Sequence, residues 1–225
     1  MPETNLTNNW LFAAMSAADQ DALRPALARR ELAYAEVLFR SGDVVDVIHF
    51  PVSAQIANLM RFDTGESLGV SSVGREGVTG LAAFMAVEPL GWDVVVQVPG
   101  VVWTASAQIV RALAMSSPAF ATQLLKATHA NQVEAHTQAM CATFHLILPR
   151  VARWLLTLQE RTGQTSFAIT QEDLADLLGV QRTTVNGAMI TLRTAGAVGG
   201  KSRGKITIKD RAVLKVLACS CHRAP

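Results

Sequence analysis

The stretch Thr170-Gln-Glu-Asp-Leu-Ala-Asp-Leu-Leu-Gly-Val-Gln-Arg-Thr-Thr-Val-Asn-Gly-Ala-Met-Ile-Thr-Leu-Arg193 carries the most structural information in the chain. Thr170, followed three residues later by Asp173, is related to the capping box that begins many helices. The apolar residues of this first helix end at Gly179, where the left-handed backbone of a tight turn is least costly. A second helix begins near Arg182. The stretch therefore predicts two helices joined by a tight turn.

Three positions make this pair typical of a helix-turn-helix. Ala175 is small enough for two helices to cross closely, Gly179 forms the turn, and Val185 packs the second helix against the first. In this motif the exposed start of the second helix enters the major groove of DNA. The residues predicted to read bases are Gln181, Arg182, Thr183 and Asn186. Arg182 is the strongest of them because a guanidinium can pair with two acceptors of guanine.

A glycine-rich turn and a short alternating segment follow at 198–208 and predict a β-hairpin wing. The residues predicted to contact DNA phosphates are Thr170, Gln171, Thr184, Lys201, Ser202, Arg203 and Lys205. Residues 1–149 hold 8 Lys and Arg against 13 Asp and Glu (−5), whereas residues 150–225 hold 12 against 5 (+7). A basic C-terminal part behind an acidic body favours a nucleic-acid partner.

The N-terminal part has short β-prone runs separated by glycines. The predicted strands lie at 32–39, 44–50, 55–62, 67–73, 93–98 and 101–106. Several short strands at this spacing are typical of a sandwich or a barrel of jelly-roll type. The predicted fold class is therefore α+β, with a β-roll ahead of the helical part of the chain.

A long helix is predicted from Pro118, since proline is favoured at the first position of a helix. Along it, mostly small or polar residues recur at the heptad spacing of paired helices: Leu125, Thr128, Gln132, Ala135, Ala139, Ala142 and Leu146. This stripe favours a homodimer, and packing of the helix on its own barrel is the alternative. Pro149 interrupts the pattern and is the predicted hinge between domains.

The order of these parts resembles the Crp/Fnr family of bacterial transcription regulators. The resemblance rests on Gln171-Glu-Asp-Leu-Ala-Asp-Leu-Leu-Gly179, Arg182-Thr-Thr-Val185 and the Gly-Lys-Ile-Thr-Ile segment of the wing. It implies a cyclic-nucleotide-binding-like roll at 1–116, a dimerisation helix at 117–148 and a winged helix-turn-helix domain at 149–225. It also implies a homodimer on a palindromic DNA site, with RNA polymerase as a further partner.

The sequence departs from the family pattern at two places. Thr183 and Gly187 stand where the family commonly has Glu and a second Arg, so we expect fewer base contacts and more reliance on DNA shape. No Arg or Lys lies between Arg75 and Arg111, which leaves a cyclic phosphate without a cation. We therefore expect an effector other than a classical cyclic nucleotide. A constitutive or architectural DNA-binding protein without an effector, or a haem or redox sensor, is the alternative.

Cofactors, metals and catalysis are not expected from the sequence. No cysteine precedes Cys141, so the N-terminal iron–sulfur cluster known in the family is absent. A haem or another small effector is not excluded, but His49 is the only histidine of the roll. It cannot by itself supply the ligands of a barrel metalloenzyme, so we expect no enzyme. At the C-terminal end, Cys219, Cys221 and His222 are too few for a four-ligand metal site, so we expect a structural role, with metal binding or a redox pair as the alternatives.

Composition predicts a globular protein, because 50% of the 225 residues are hydrophobic and can form a sizeable core. The apolar runs are shorter than the roughly 20 residues that span a bilayer. The N-terminus has neither the basic patch nor the apolar stretch of a signal peptide. We therefore expect a cytoplasmic protein with no membrane partner.

Overall fold

The computed structural model of the chain describes residues 5–85, 89–200 and 204–223. It consists of two compact units. The first comprises Met1–Asn58 and Ser72–Val133, and the second comprises Leu59–Ser71 and Glu134–Pro225. Strands dominate the N-terminal part and helices the C-terminal part, which confirms the predicted α+β class.

The first unit begins with two short helices, α1 (Trp10–Ala13) and α2 (Ala17–Leu23). The buried side chain of Asn9 caps the start of α1. Its amide nitrogen also donates hydrogen bonds to the carbonyls of Pro51 at 2.9 Å and Gly77 at 2.7 Å. One polar side chain therefore fixes α1 against the strands that follow.

Within the described residues, seven short strands form the roll. They are β1 (Ala28–Leu32), β2 (Val37–Phe39), β3 (Val47–Pro51), β4 (Gln55–Arg61), β5 (Ser67–Val73), β6 (Asp93–Val98) and β7 (Gly100–Ser106). One sheet has the order β1-β7-β3 with antiparallel pairs, and the other has the order β2-β6-β4-β5. The predicted barrel-like arrangement of short strands is confirmed.

The first predicted strand, at 32–39, is wrong. The chain turns at residues 33–36 between β1 and β2, and Ala35 has a positive φ of 59°. The carboxylate of Glu36 accepts a hydrogen bond from the backbone N–H of Ala33 at 2.8 Å, which closes the turn. The β-prone composition of this run concealed a turn that a side-chain hydrogen bond stabilises.

Apolar side chains from both sheets and the neighbouring helices fill the first unit. One cluster includes the fully buried rings of Phe12, Phe50 and Phe120, and another is centred on the strands and includes Ile56 and Val96. Burial of each such side chain contributes about 1.5–3 kcal/mol to folding.

Four helices follow or interrupt the roll: α3 (Ala82–Met85), α4 (Ala107–Ser116), α5 (Pro118–Phe144) and α6 (Ile147–Thr162). Among the described helices, none has the length and apolar character that crossing a membrane requires. The predicted start of the long helix at Pro118 is confirmed. Its predicted end at 148 is wrong, since α5 stops four residues earlier.

The predicted hinge at Pro149 is also misplaced. The break between α5 and α6 lies at His145 and Leu146, and Leu146 is extended with ψ 160° as the N-cap of α6. Pro149 lies in the first turn of α6, where the N–H that proline lacks would have no helical partner. Leu146, the last residue of the predicted heptad stripe, is therefore outside α5.

The second unit contains the remaining elements: β8 (Ser166–Phe167), α7 (Gln171–Leu178), α8 (Arg182–Thr194), β9 (Val198–Gly199), β10 (Ile206–Ile208) and α9 (Arg211–Leu217). The three strands form a small antiparallel sheet in the order β8-β10-β9. The segment 59–71, which includes the turn between β4 and β5, belongs to this unit.

Candidate nucleic-acid interface

The start of α7 is built as the sequence predicts. The hydroxyl of Thr170 accepts a hydrogen bond from the backbone N–H of Asp173 at 3.1 Å, and the Asp173 carboxylate accepts from the N–H of Thr170 at 2.7 Å. This reciprocal capping box satisfies backbone donors at the helix start. Loss of such a cap costs about 1 kcal/mol.

The turn between α7 and α8 depends on Gly179. Its φ of 61° and ψ of 45° place it in the left-handed region, and Val180 N–H donates to the carbonyl of Ala175 at 3.1 Å. A Cβ at this position would also lie 2.9 Å from Cδ1 of Leu68. The predicted turn glycine is confirmed, and both its conformation and its surroundings require it.

The segment 59–71 supports this turn, and sequence analysis missed that contact. Ser67 Oγ donates a hydrogen bond to the carbonyl of Asp176 at 3.4 Å. Gly69 approaches Leu177 so closely that a Cβ would lie 3.0 Å from the Leu177 carbonyl oxygen. No local signal connects residues more than a hundred positions apart, so only the tertiary structure shows this support.

Helix α8 has one buried and one exposed face. The buried side chains, which pack the helix into its unit, are Val185, Ala188, Met189 and Leu192. The residues predicted to read bases are all exposed: Gln181, Arg182, Thr183 and Asn186. These four side chains at the N-terminal end of α8 are therefore accessible for binding another molecule, as predicted from the sequence.

Arg182 has one ionic neighbour in the described part of the chain. Its Nη1 lies 3.6 Å from Oε2 of Glu172, and both side chains are about two-thirds exposed, at 69% and 65%. An exposed pair of this kind contributes little and is screened by salt. Separating the Arg182 guanidinium from Glu172 therefore costs little free energy.

The residues predicted to contact phosphates lie in different surroundings. Thr184 and Lys205 are exposed, and Gln171 is half-buried. Thr170 is exposed, but its hydroxyl is engaged in the capping box with Asp173. Lys201, Ser202 and Arg203 lie outside the described residues.

A buried cation at the end of α7 was not anticipated as part of the motif. The Nη2 of Arg150 donates a hydrogen bond of 2.5 Å to the carbonyl of Leu178, the last residue of α7. Burial is the largest cause of the lowered pKa of Arg150. A guanidinium at a helix C-terminus satisfies a free carbonyl and complements the negative end of the helix dipole.

The family of this unit follows from its sequence. Residues 149–217 match the family model of the Crp-like helix-turn-helix domain. A solved structure from Eubacterium rectale, described as a transcriptional regulator of the Crp/Fnr family, has the same fold with a TM-score of 0.70 and 18% identity. The alignment covers 95% of this chain and 98% of that one. Residues 149–217 therefore form a Crp-like helix-turn-helix domain.

Other solved structures share the fold of the chain. FixK2 from Bradyrhizobium japonicum has a TM-score of 0.72 and 16% identity, covering 86% of this chain and 98% of its own. The regulator CLP of Xanthomonas campestris, which responds to c-di-GMP, has a TM-score of 0.68 and 14% identity, covering 87% and 100%. No curated protein matches the chain in sequence.

The roll contains buried polar groups that have no hydrogen-bond partner among the described residues. Gln55 on β4 and Gln97 on β6 are 1% and 6% exposed, and these strands are neighbours in one sheet. Both amide atoms of Gln55 and the amide oxygen of Gln97 have no hydrogen-bond partner among the described residues. Each such group costs about 1–3 kcal/mol unless something satisfies it.

His49 of the roll is buried beside the ring of Phe39, with 5.7 Å between the ring centroids. Burial, followed by the positive charge of Arg30, lowers the pKa of His49 to about 4. The imidazole is therefore neutral at pH 7. Its Nδ1 has no hydrogen-bond partner among the described residues.

The expectation that fewer than four metal ligands lie together near the C-terminal end is wrong. Cys219 and Cys221 are joined by Cys141 and His145, and the four ligand atoms lie within 4.8 Å of one another. Only Cys219 and Cys221 are neighbours along the chain. The fold supplies the other two ligands from the end of α5.

Proposed function

We propose that the chain acts as a homodimeric, sequence-specific regulator that reads its DNA site through the exposed start of α8. The observation that carries the proposal is the division of α8 into a buried apolar face and an exposed row that contains Arg182. Arg182 supplies direct base contact, and Gln181, Thr183 and Asn186 provide neighbouring donors and acceptors. This geometry supports DNA recognition, rather than catalysis, as the function of the chain.

Dimerisation through α5 completes the proposal. Apolar side chains remain exposed along this helix, including Leu125 at 56% and Phe144 at 77%. Ala139 and Ala142, the small residues of the heptad stripe, are exposed between them. A second copy of α5 would cover this stripe and place two copies of α8 on a palindromic operator, about 34 Å apart. The family resemblance adds RNA polymerase as a further partner.

The proposed effector is a small molecule that is not a classical cyclic nucleotide. The guanidinium of Arg75 lies over the ring of Trp10, 4.9 Å from its centroid, and no cation follows it in the sequence before Arg111. We do not transfer the c-di-GMP response of CLP to this chain, because that ligand also carries phosphates. Gln55 and Gln97 favour a ligand with neutral hydrogen-bonding groups instead.

The experiment that tests the proposal compares Arg182→Ala with Arg193→Ala. Arg193 is exposed in the last turn of the same helix, so its replacement removes the same charge away from the proposed reading end. Binding sites are first selected from random duplexes with the full-length protein. Affinities are then measured on the selected site and on a random duplex at one salt concentration.

We expect Arg182→Ala to weaken binding to the selected site by about 1–3 kcal/mol, or roughly 5- to 150-fold, with little change on random DNA. Arg193→Ala should affect the two duplexes alike. Equal losses on both duplexes for Arg182→Ala would remove its role in base readout and favour an architectural DNA-binding protein.

A further inference from the structure

We infer that Cys141, His145, Cys219 and Cys221 bind one zinc ion in a structural Cys3His site. Their four ligand atoms lie within 4.8 Å of one another, and the three cysteines are buried. None of the four residues lies within 149–217, the stretch that matches the Crp-like domain. The site therefore flanks that domain on both sides and is a feature of this chain.

The spacing of the ligand atoms suits a single tetrahedral ion. Sγ of Cys141 lies 3.6 Å from Sγ of Cys219, and Sγ of Cys221 lies 3.6 Å from Nδ1 of His145. Zinc bonds of about 2.3 Å to sulfur and 2.0–2.1 Å to nitrogen separate tetrahedral ligands by roughly 3.5–3.8 Å. The observed distances thus leave space for the ion with little rearrangement.

Local backbone structure holds the ligands in two pairs. Cys141 and His145 are one helical turn apart at the end of α5, where His145 N–H donates to the Cys141 carbonyl at 3.1 Å. Cys219 and Cys221 follow α9, and Cys219 N–H donates to the carbonyl of Pro149 at 3.4 Å. Two short-range pairs, far apart in sequence, therefore converge on one point.

The donor set selects the metal. Three thiols and one imidazole suit zinc, whereas magnesium and calcium require oxygen ligands, which this cluster lacks. An iron–sulfur cluster distributes its cysteines over separate irons, while these ligand atoms surround one position. A single zinc ion is therefore the occupant that the geometry favours.

The electrostatic surroundings also suit this occupant. Three thiolates and Zn²⁺ leave one net negative charge, which is costly to bury without a counter-charge. The guanidinium of Arg150 is buried and interacts electrostatically with Cys141 and Cys219. The same side chain donates its hydrogen bond to the carbonyl of Leu178. The metal site thus links the chain after α9 to the end of α5. Through the hydrogen bond of Arg150 to Leu178, it also stabilises the C-terminal end of α7.

The test uses the full-length protein purified under reducing conditions without a chelator. We expect elemental analysis to find one zinc per chain. After removal of the metal, titration of the reduced protein with Co²⁺ should give the intense visible bands of tetrahedral cobalt and thiolate-to-cobalt charge-transfer bands. Saturation is expected at one Co²⁺ per chain, and added Zn²⁺ should abolish these bands.

A matched pair of histidine variants locates the site. His145→Ala removes one ligand, whereas His136→Ala removes an exposed histidine of α5 away from the cluster. We expect His145→Ala to weaken Co²⁺ binding by at least about tenfold, because loss of an outer-shell partner alone costs about 10- to 100-fold in metal affinity. His136→Ala should leave Co²⁺ binding unchanged. Cys221→Ser provides a second variant, and circular dichroism checks that each variant is folded.

Two results would overturn the zinc site. One is a folded, reduced wild-type protein that holds no zinc and shows no tetrahedral cobalt spectrum. The other is cobalt binding that His145→Ala and Cys221→Ser leave unchanged. A disulfide between Cys141 and Cys219 in a protein that takes up no metal after reduction would assign the cysteines to redox chemistry instead.

Discussion

Several single polar side chains make contacts with distant residues that the neighbouring sequence does not predict. Asn9 caps α1 and binds two distant carbonyls, and Arg150 satisfies the end of α7 from a buried position. His49 lies buried in β3, and its Nδ1 has no hydrogen-bond partner among the described residues. Each of these polar groups is fixed by the shape of its surroundings, so its contribution depends on burial as well as on residue type.

Burial of His49 should make stability depend on pH. Its folded-state pKa of about 4 lies below the value of 6.5 for an exposed histidine. Between these values the unfolded chain binds a proton that the folded chain does not. Stability should therefore fall as pH decreases from 6.5 to 4, by about 3 kcal/mol at most from this residue.

Urea denaturation of the full chain at several pH values measures this dependence. His49→Gln should show a shallower loss of stability between pH 6.5 and 4 than the wild type. His136→Gln, at an exposed site on α5, should retain the wild-type slope. If the His49→Gln and wild-type curves ran parallel, His49 would not be the group that titrates.

Two glycines in the helix-turn-helix should respond in opposite ways to alanine. Gly179 has a left-handed backbone and lies against Leu68, so Gly179→Ala should cost roughly 1–2 kcal/mol. Gly187 is inside α8 with open space around it, so Gly187→Ala should stabilise the helix by about 0.5–1 kcal/mol. The urea midpoints of the two variants, compared with that of the wild type, show whether each substitution raises or lowers the stability. A stabilised Gly179→Ala protein would contradict the requirement for the left-handed turn.

The two helices of the helix-turn-helix are each held in place by packing within their unit. The segment 59–71 contacts the end of α7, while the apolar face of α8 packs within the same unit. The wing strand β10 pairs with both β8 and β9. Lys205, the residue just before β10, is exposed. The wing is thus anchored at its base.

Lys205 should contribute to DNA affinity without contributing to selectivity. Lys205→Ala removes one proposed phosphate contact, so affinity should fall for every duplex. The slope of log K against log salt should become shallower by about 1. Lys215→Ala, at an exposed position on α9, is the matched control and should leave the slope unchanged. An unaltered slope in Lys205→Ala would place the wing outside the interface.

The proposed function requires a homodimer, that is, two copies of the chain. The heptad stripe on α5 consists mostly of small or polar residues, and Ala139 is exposed within it. Small residues permit close approach of two helix backbones, so an added carboxylate would separate them and introduce like charges across the pair. The dimer should therefore be sensitive to charge on this stripe.

Sedimentation velocity tests the dimer with two glutamate variants. Ala139→Glu should raise the dimer dissociation constant by at least about tenfold, which corresponds to about 1.4 kcal/mol. Ala130→Glu adds the same charge to an exposed position of α5 outside the stripe and should leave the constant unchanged. A monomeric wild type, or equal effects of both variants, would contradict dimerisation through this stripe.

Elements with local signals could be predicted from the amino-acid sequence alone. The capping box at Thr170, the glycine turn at 179, the buried face of α8 and most strands of the roll follow from side-chain periodicity and turn chemistry. These features depend on residues three to four positions apart, which a linear pattern contains. The start of α5 at Pro118 belongs to the same class.

Contacts between distant residues could not be predicted from the sequence. The end of α5 before Leu146 and the turn at 33–36 are local, but they depend on an extended backbone and on a side-chain hydrogen bond that periodicity does not encode. The support of the α7–α8 turn by 59–71 joins residues more than a hundred positions apart. The Cys3His cluster was missed for the same reason, since α5 and the chain after α9 each supply only two ligands. Such contacts exist only once the chain has folded, because packing rather than spacing brings their atoms together.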